Sequence, residues 1–248
     1  MPTVVEEAVA IQRRYYADTA TKYEQMHARE GDDSAFNHRF TVAMLKMLDA
    51  RSVLDVGTAT GFRIHDLRSV LPDAFLCGVE PVDALLGVAR RNDVLTSGAL
   101  IRGTGFALPF ADKSFDVVCE FATLHHVDRP EMFVREMLRV ARKAVLISDS
   151  NRFGQGSFLA RLAKLAMFKT GVWPLFDWLR TRGKGYRITD GDGLCYSYSV
   201  YDSYDQLASW ADRLLILPAS PRQSTSWLHP LLNTGGVMAW AIKESASR

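Results

Sequence analysis

The sequence predicts an α/β protein: a seven-stranded, mostly parallel sheet with helices on both faces, an N-terminal helical cap and a C-terminal helical and aromatic insertion. Three observations carry this. From Arg51 onward, short β-rich runs alternate with helical segments, as parallel strands joined by crossover helices require. The first of these runs ends in a turn of small residues that leads straight into a helix. Hydrophobic residues make up 48% and charged residues 23% of the 248 positions, enough apolar material for a core and too little charge for a disordered chain.

In chain order, residues 4 to 26 and 35 to 49 read as helices, the second with Phe36, Phe40, Met44, Leu45 and Leu48 at three-to-four spacing. Five strands follow at Ser52 to Val56, Ala74 to Val79, Ala99 to Arg102, Phe115 to Phe121 and Ala144 to Ser148. Helices fit between them at about 61 to 71, 82 to 91 and 130 to 140, the last opened by Asp128 before Pro130. Beyond Asn151 come a helix at 157 to 169, an aromatic and basic stretch at 172 to 201 and a helix at 202 to 211. Two last strands lie near Arg213 to Leu217 and Gly236 to Ile242. No repeat or low-complexity segment interrupts this order.

Thirty basic against twenty-eight acidic side chains leave a net charge of +2, so no overall field gathers nucleic acid, which is excluded as a general partner. Cys77, Cys119 and Cys195 are odd in number and lack zinc or redox spacing; they read as free thiols, and no metal is expected. The start, Met1-Pro2-Thr3 followed by Glu6-Glu7, is not that of a signal peptide, and no run of apolar residues is long enough to span a bilayer. The expectation is a cytoplasmic protein without stable membrane insertion.

The strongest local signal is Val53-Leu54-Asp55-Val56-Gly57-Thr58-Ala59-Thr60-Gly61. Small residues there let the backbone approach a ligand, and the free N–H groups of the helix start can receive its polar end. Glu80 ends the next strand about twenty residues further on, followed by Pro81, where an acid can accept both hydroxyls of an adenosine ribose. The plain alternative for Glu80 is a solvated loop carboxylate. A nicotinamide reading is disfavoured, because Gly-x-Gly-x-x-Gly and a Tyr-x-x-x-Lys pair are both missing.

With these residues the sequence resembles the class I S-adenosylmethionine-dependent methyltransferases, particularly the quinone-biosynthesis and small-molecule group, over about residues 15 to 150. Asp55, Gly57 and Gly61 match the first motif and Glu80 the ribose acid. Ala107-Leu108-Pro109-Phe110 through Phe115-Asp116-Val117-Val118 matches the segment between the third and fourth strands, and Leu124-His125-His126-Val127 the segment after the fourth. The resemblance implies a Rossmann-like sheet and S-adenosyl-L-methionine as cofactor. It places Gly57, Thr58 and Gly61 by the methionine part, Glu80 and Pro81 by the ribose, and Thr104, Gly105 and Phe106 beside adenine. Phe121 and Ala122 would lie near the sulfonium, and Tyr15, Tyr16 and Tyr23 match a helical lid, although each could equally face the buried side of its helix. Two departures stand out: Ala59 occupies the place of a common central glycine, and Thr104 that of an aspartate facing adenine. The implied organisation is one methyltransferase domain over 1–248, with a helical cap (1–50), a cofactor-binding half (51–150) and an acceptor-side insertion with the last strands (151–248).

Methyl transfer needs a nucleophile held opposite the methyl group, and an alcohol acceptor also needs a base. Ligands of open α/β sheets sit beyond the carboxyl ends of the strands, which selects His126, His125 and Asp149 as base candidates. Asn151 and Gln155 follow the fifth strand and either face a polyhydroxylated acceptor or cap the helix near Ser157. Tyr196 and Tyr198, among Arg180, Arg182, Lys184 and Arg187, suit an acceptor with sugar rings or phosphate, or else a solvated loop over a tyrosine row. The amphipathic segment Phe158 to Lys169 packs on its own domain, lines an entrance, forms a homodimer contact or rests peripherally on a membrane. His27, His38, His65 and His229 read as structural. The expected activity is O-methylation of a hydroxyl on a small polar acceptor, a sugar or glycoside ahead of a phenol. The alternatives are a quinone or lipid acceptor and a non-catalytic cofactor-binding scaffold.

Overall fold

The computed structural model describes residues 4–27, 32–92, 99–219 and 230–244; His229 lies outside them. Its main sheet has seven strands: β1 (Ser52–Val56), β2 (Phe75–Glu80), β3 (Ala99–Arg102), β4 (Phe115–Phe121), β5 (Ala141–Ser150), β8 (Arg213–Pro218) and β9 (Gly236–Ile242). Their order is β3-β2-β1-β4-β5-β9-β8. β1 to β5 run parallel, β9 pairs antiparallel with β5, and β8 pairs antiparallel with β9. The order therefore reverses at β1 and β4, which opens a crevice beyond their carboxyl ends.

The central strands β1, β2, β4 and β9 are buried at nearly every position because both faces are covered. On one face Leu54, Val79, Val118, Val145 and Ala239 pack with Phe133, Val134 and Met137 of α6 (Pro130–Val140) and Leu207 of α9 (Tyr204–Trp210). On the other, Val53, Leu76, Val117, Leu146 and Trp240 pack with Met44 and Leu45 of α3 (Asp32–Met47) and Ile64 and Leu67 of α4 (Phe62–Val70). Each strand thus sends alternate residues to opposite cores, the period of two that defines a strand. No helix among the described residues is long and apolar enough to cross a membrane.

The predicted helix at 4 to 26 is broken: α1 (Val4–Thr19) is followed by a 3₁₀ turn at Ala20–Lys22 and by α2 (Tyr23–His27). Ala20, Tyr16 and Tyr23 pack with Ala59, Val82 and Leu85, so this cap lies over the β1–α4 turn and α5 (Asp83–Arg91). The stretch at 172 to 201 holds more regular structure than its composition suggested. After α7 (Phe158–Lys169) it forms α8 (Trp173–Arg180), with Pro174 in its first turn, and a hairpin of β6 (Tyr186–Thr189) and β7 (Gly193–Tyr196). Gly193 at φ +70° closes the hairpin turn. Ala8 of α1 packs on Tyr186 and Leu194, so the hairpin and α1 form one roof. A short helix, α10 (Pro230–Asn233), precedes β9.

Candidate functional site

Gly57 leaves β1 at φ +85°, and a Cβ there would stand 2.4 Å from the Thr123 hydroxyl. Its N–H and that of Thr58 donate to the Val79 carbonyl at 2.8 and 3.1 Å, which ties the turn to β2. Gly61, at φ +73°, opens α4. Ala59 adopts φ +51°, so it is held in the left-handed region without the freedom of glycine. What holds it is Glu80: one carboxylate oxygen accepts the Ala59 N–H at 3.0 Å and the other the Val82 N–H at 2.9 Å. Burial pushes Glu80 up to about 7 against those two stabilising bonds.

This turn forms one wall of a cavity of about 930 Å³, a volume that includes the open solvent at its mouth. Glu80, Pro81 and Val82 continue the wall after β2, Thr104, Gly105 and Phe106 after β3, and Ala122, Thr123, His126, Val127 and Asp128 after β4. Tyr16, Tyr23, Gln12 and Arg13 close it from the cap, and Tyr196 from β7. At Gly105 a Cβ would meet the Phe133 ring at 2.1 Å, so the backbone must pass bare. An adenosine cofactor fits these walls: a carboxylate with spare lone pairs, glycines where a ligand comes close, and aromatic and aliphatic sides. Thr104 offers a hydroxyl that already accepts from the Phe106 N–H at 3.4 Å.

Not every residue singled out in the sequence reaches this cavity. Asp55 is buried behind the turn, where burial raises it to about 6 and Oδ1 has no hydrogen-bond partner among the described residues. Thr58 and Gly61 also lie behind the turn rather than on the wall. Phe121 packs under the Arg63 guanidinium at 4.7 Å. Tyr15 turns away from the cavity, its hydroxyl donating to the Asp190 carbonyl of the hairpin.

The acceptor-side expectations need more correction. Asn151 is fully buried; its oxygen accepts from Phe153 N–H and its amide donates to the Leu231 and Thr234 carbonyls, so it ties the β5 exit to α10. Gln155 is exposed and off the wall. Tyr198 is buried in the core with its hydroxyl paired to Ser203 Oγ at 2.8 Å. The side chains of Asn151 and Tyr198 satisfy the ends of elements, which polar groups do as readily as they bind ligands.

The two histidines divide sharply. His125 is clamped between carboxylates, with Nδ1 2.7 Å from Asp149 Oδ1 and Nε2 3.0 Å from Asp192 Oδ2. Burial alone would lower its pKa, but Asp149 and then Asp192 outweigh that and raise it well above the usual value, which favours the charged ring. Burial likewise opposes ionisation of Asp149 and Asp192, and their contacts to the histidines reverse it and hold both below the ordinary carboxylate range. Neither His125 nor Asp149 borders the cavity. His126 does. Its Nδ1 sits 2.7 Å from the Leu194 carbonyl, which can only accept, so in the neutral ring Nδ1 carries the proton and Nε2 the lone pair. The Tyr16 hydroxyl stands 2.8 Å from Nε2, and Asp192 Oδ1 lies 3.5 Å from the same nitrogen.

Sequence reasoning missed Asp192, the Leu194 carbonyl and Gln12, all parts of the roof, and identified no partner for His27, which it read as structural. Asp192 lies 67 residues from His125, and Gln12, whose oxygen accepts the Leu194 N–H, is 182 residues away. His27 stacks on Tyr23 at 4.2 Å and stands 3.7 Å from Asp192. The glycine-aspartate turn at Asp190-Gly191-Asp192-Gly193 was the available signal for the hairpin. Cys195 brings its thiol within 4.8 Å of a nitrogen of each of the two histidines, and their influence holds it down to about 7 against burial. The ring nitrogens of both histidines already have protein partners, so the cluster is complete as a hydrogen-bond network.

Comparison with known proteins agrees with this architecture. Residues 54–147 match the family model described as a methyltransferase domain. An uncharacterized methyltransferase of Mycolicibacterium paratuberculosis is 31% identical over 179 residues, covering 71% of this chain and 67% of its own. One from Mycobacterium leprae is 28% identical over 179 residues, 71% of this chain, and the match spans 64% of that relative's length. Among solved structures, magnesium protoporphyrin IX methyltransferase of Synechocystis, with S-adenosylhomocysteine bound, superposes with a TM-score of 0.60 at 14% identity, covering 95% of this chain and 100% of that one. The methyltransferase domain of a bacterial Hen1 gives 0.56 at 14% identity, covering 84% and 97%. These structures share the fold. By sequence and fold together, the chain belongs to the class I S-adenosylmethionine-dependent methyltransferase family.

Proposed function

We propose that this chain transfers a methyl group to a hydroxyl of a small acceptor, a sugar or glycoside, seated between Tyr16, Tyr196 and His126. S-adenosylmethionine, when bound, supplies an electrophilic methyl on its sulfonium. Glu80 accepts the ribose hydroxyls, Thr104 to Phe106 flank the adenine, and Tyr16 and Tyr23 cover the site and exclude water. The observation that carries the reading is the Leu194 O···His126···Tyr16 chain on the cavity wall. Because Tyr16 occupies the free imidazole nitrogen, the acceptor's proton passes to the Tyr16 oxygen as the phenolic proton moves to Nε2. Burial raises the Tyr16 pKa strongly, so the phenol acts as a relay and does not accumulate as phenolate.

Tyr16→Phe and His126→Gln should each lower kcat by about 10²- to 10⁴-fold while cofactor affinity changes little. For His126, burial lowers the pKa, but the contacts with Asp192 and Cys195 more than compensate and the net shift is upward from 6.5. A base works only when unprotonated, so kcat/KM should fall as pH drops through a pKa above 6.5, and His126→Gln should flatten that limb. Normal turnover in both variants would remove the pair from the mechanism.

A second reading, a quinone or lipid acceptor, is supported by the exposed apolar side chains of α7 and α8. Labelled cofactor presented with glycosides and with prenylated quinols separates the two by which panel becomes labelled. Cofactor binding without transfer to either panel would favour a scaffold.

A further inference from the structure

The cavity does not use α7 and α8, and these helices hold a surface of their own. Ten of the sixteen exposed large apolar side chains among the described residues fall between Phe158 and Ile188. Their spacing is helical: Leu159 and Leu162 on α7, then Leu175, Trp178 and Leu179 on α8, lie at three- and four-residue steps. Leu159 is 76% exposed and Leu179 60%. The pair is firmly seated on its other side. Phe153 packs on Phe168 at 5.2 Å, and the buried Arg152 guanidinium lies 5.2 Å over the Trp173 ring.

Charge identifies what covers this face. Residues 158 to 188 contain seven lysines and arginines and one acid, Asp177, so the stretch carries +6 in a chain whose total is +2. Lys169, Arg182, Lys184 and Arg187 are exposed around the apolar stripes. A second copy of the chain would bring two such positive surfaces together, which like-charge repulsion opposes. A bilayer of anionic lipids offers acyl chains to the stripes and phosphates to the cations at once. We propose that α7 and α8 form a docking surface for anionic membranes, lying in the plane of the interface without crossing it.

The test is flotation of the full chain with vesicles of phosphatidylcholine mixed with phosphatidylglycerol and of phosphatidylcholine alone. The expected result is co-flotation with the mixed vesicles, weak recovery with the neutral ones, release by salt and a blue shift of Trp178 emission. Leu175→Asp with Leu179→Asp should lower partitioning by about tenfold or more, with cofactor affinity as the check on folding. Charge reversal at Arg182, Lys184 and Arg187 should do the same through the electrostatic arm. No co-flotation, equal recovery with neutral vesicles, or unchanged recovery in both variants overturns the proposal. So does a concentration-dependent dimer, seen by sedimentation, that the leucine substitutions abolish.

Discussion

Ala59 and Ala122 both border the cavity with positive φ, at 51° and 58°, and neither is glycine. An L-residue there costs about 1–2 kcal/mol, and the surroundings must hold it. For Ala59 the restraint is its N–H bond to Glu80, so the ribose acid and the turn support each other. Ala59→Gly should relieve the strain, offset in part by greater freedom in the unfolded chain, for a net gain of about 0.5–1 kcal/mol and a Tm higher by about 1–4 °C. A lower Tm would mean that the turn is unstrained. Of the residues singled out in the sequence, Gly57, Glu80 and His126 line the cavity, whereas Asn151 and Tyr198 are taken up by hydrogen bonds within the fold. The difference is not visible in one dimension, because a short polar or tyrosine side chain that satisfies an element end looks the same there as one that meets a ligand.

The β6–β7 hairpin is the element that completes the site, and it was hidden in a stretch whose composition fitted a loop. Its attachment combines apolar packing on Ala8 with an ionic contact. Asp192 reaches His125, which Asp149 holds from the other side. The linkage has a definite sign. The folded pKa of Asp192 lies below its ordinary 3.8, so its contribution is present above that value and is lost as pH falls through the depressed one. The folded pKa of His125 lies above 6.5, so its contribution is complete below 6.5 and is lost as pH rises through the raised one. The contact therefore stabilises most between 3.8 and 6.5. Asp192→Asn should cost about 1–2 kcal/mol in that window, reduced from the cost of a fully buried pair because Asp192 is 41% exposed. Hydrogen exchange of residues 186–196 should quicken in the variant, and its Tm deficit should shrink at either extreme of pH. A deficit independent of pH would assign the hairpin's docking to its apolar contacts.

At the scale of the whole molecule, the seven-stranded sheet was legible because each central strand is buried on both faces and the crossover helices α5 and α6 are strongly amphipathic, patterns that survive in local sequence. The cap helices and α7 were legible as elements, but the hairpin, α8 and the placement of the cap were not, because what positions them is contact across as many as 182 residues, as between Gln12 and Leu194. The cavity exists where sheet and roof meet, with Glu80 on the sheet side and Tyr16 on the roof side. The central claim is that this cavity holds the adenosine cofactor on Glu80. Calorimetric titration of the purified chain with S-adenosylhomocysteine tests it most directly. The expected result is one-to-one binding that weakens by about tenfold or more in Glu80→Gln, which keeps the side chain's shape but loses its charge. No binding by the natural chain, or equal affinity in the variant, would contradict it.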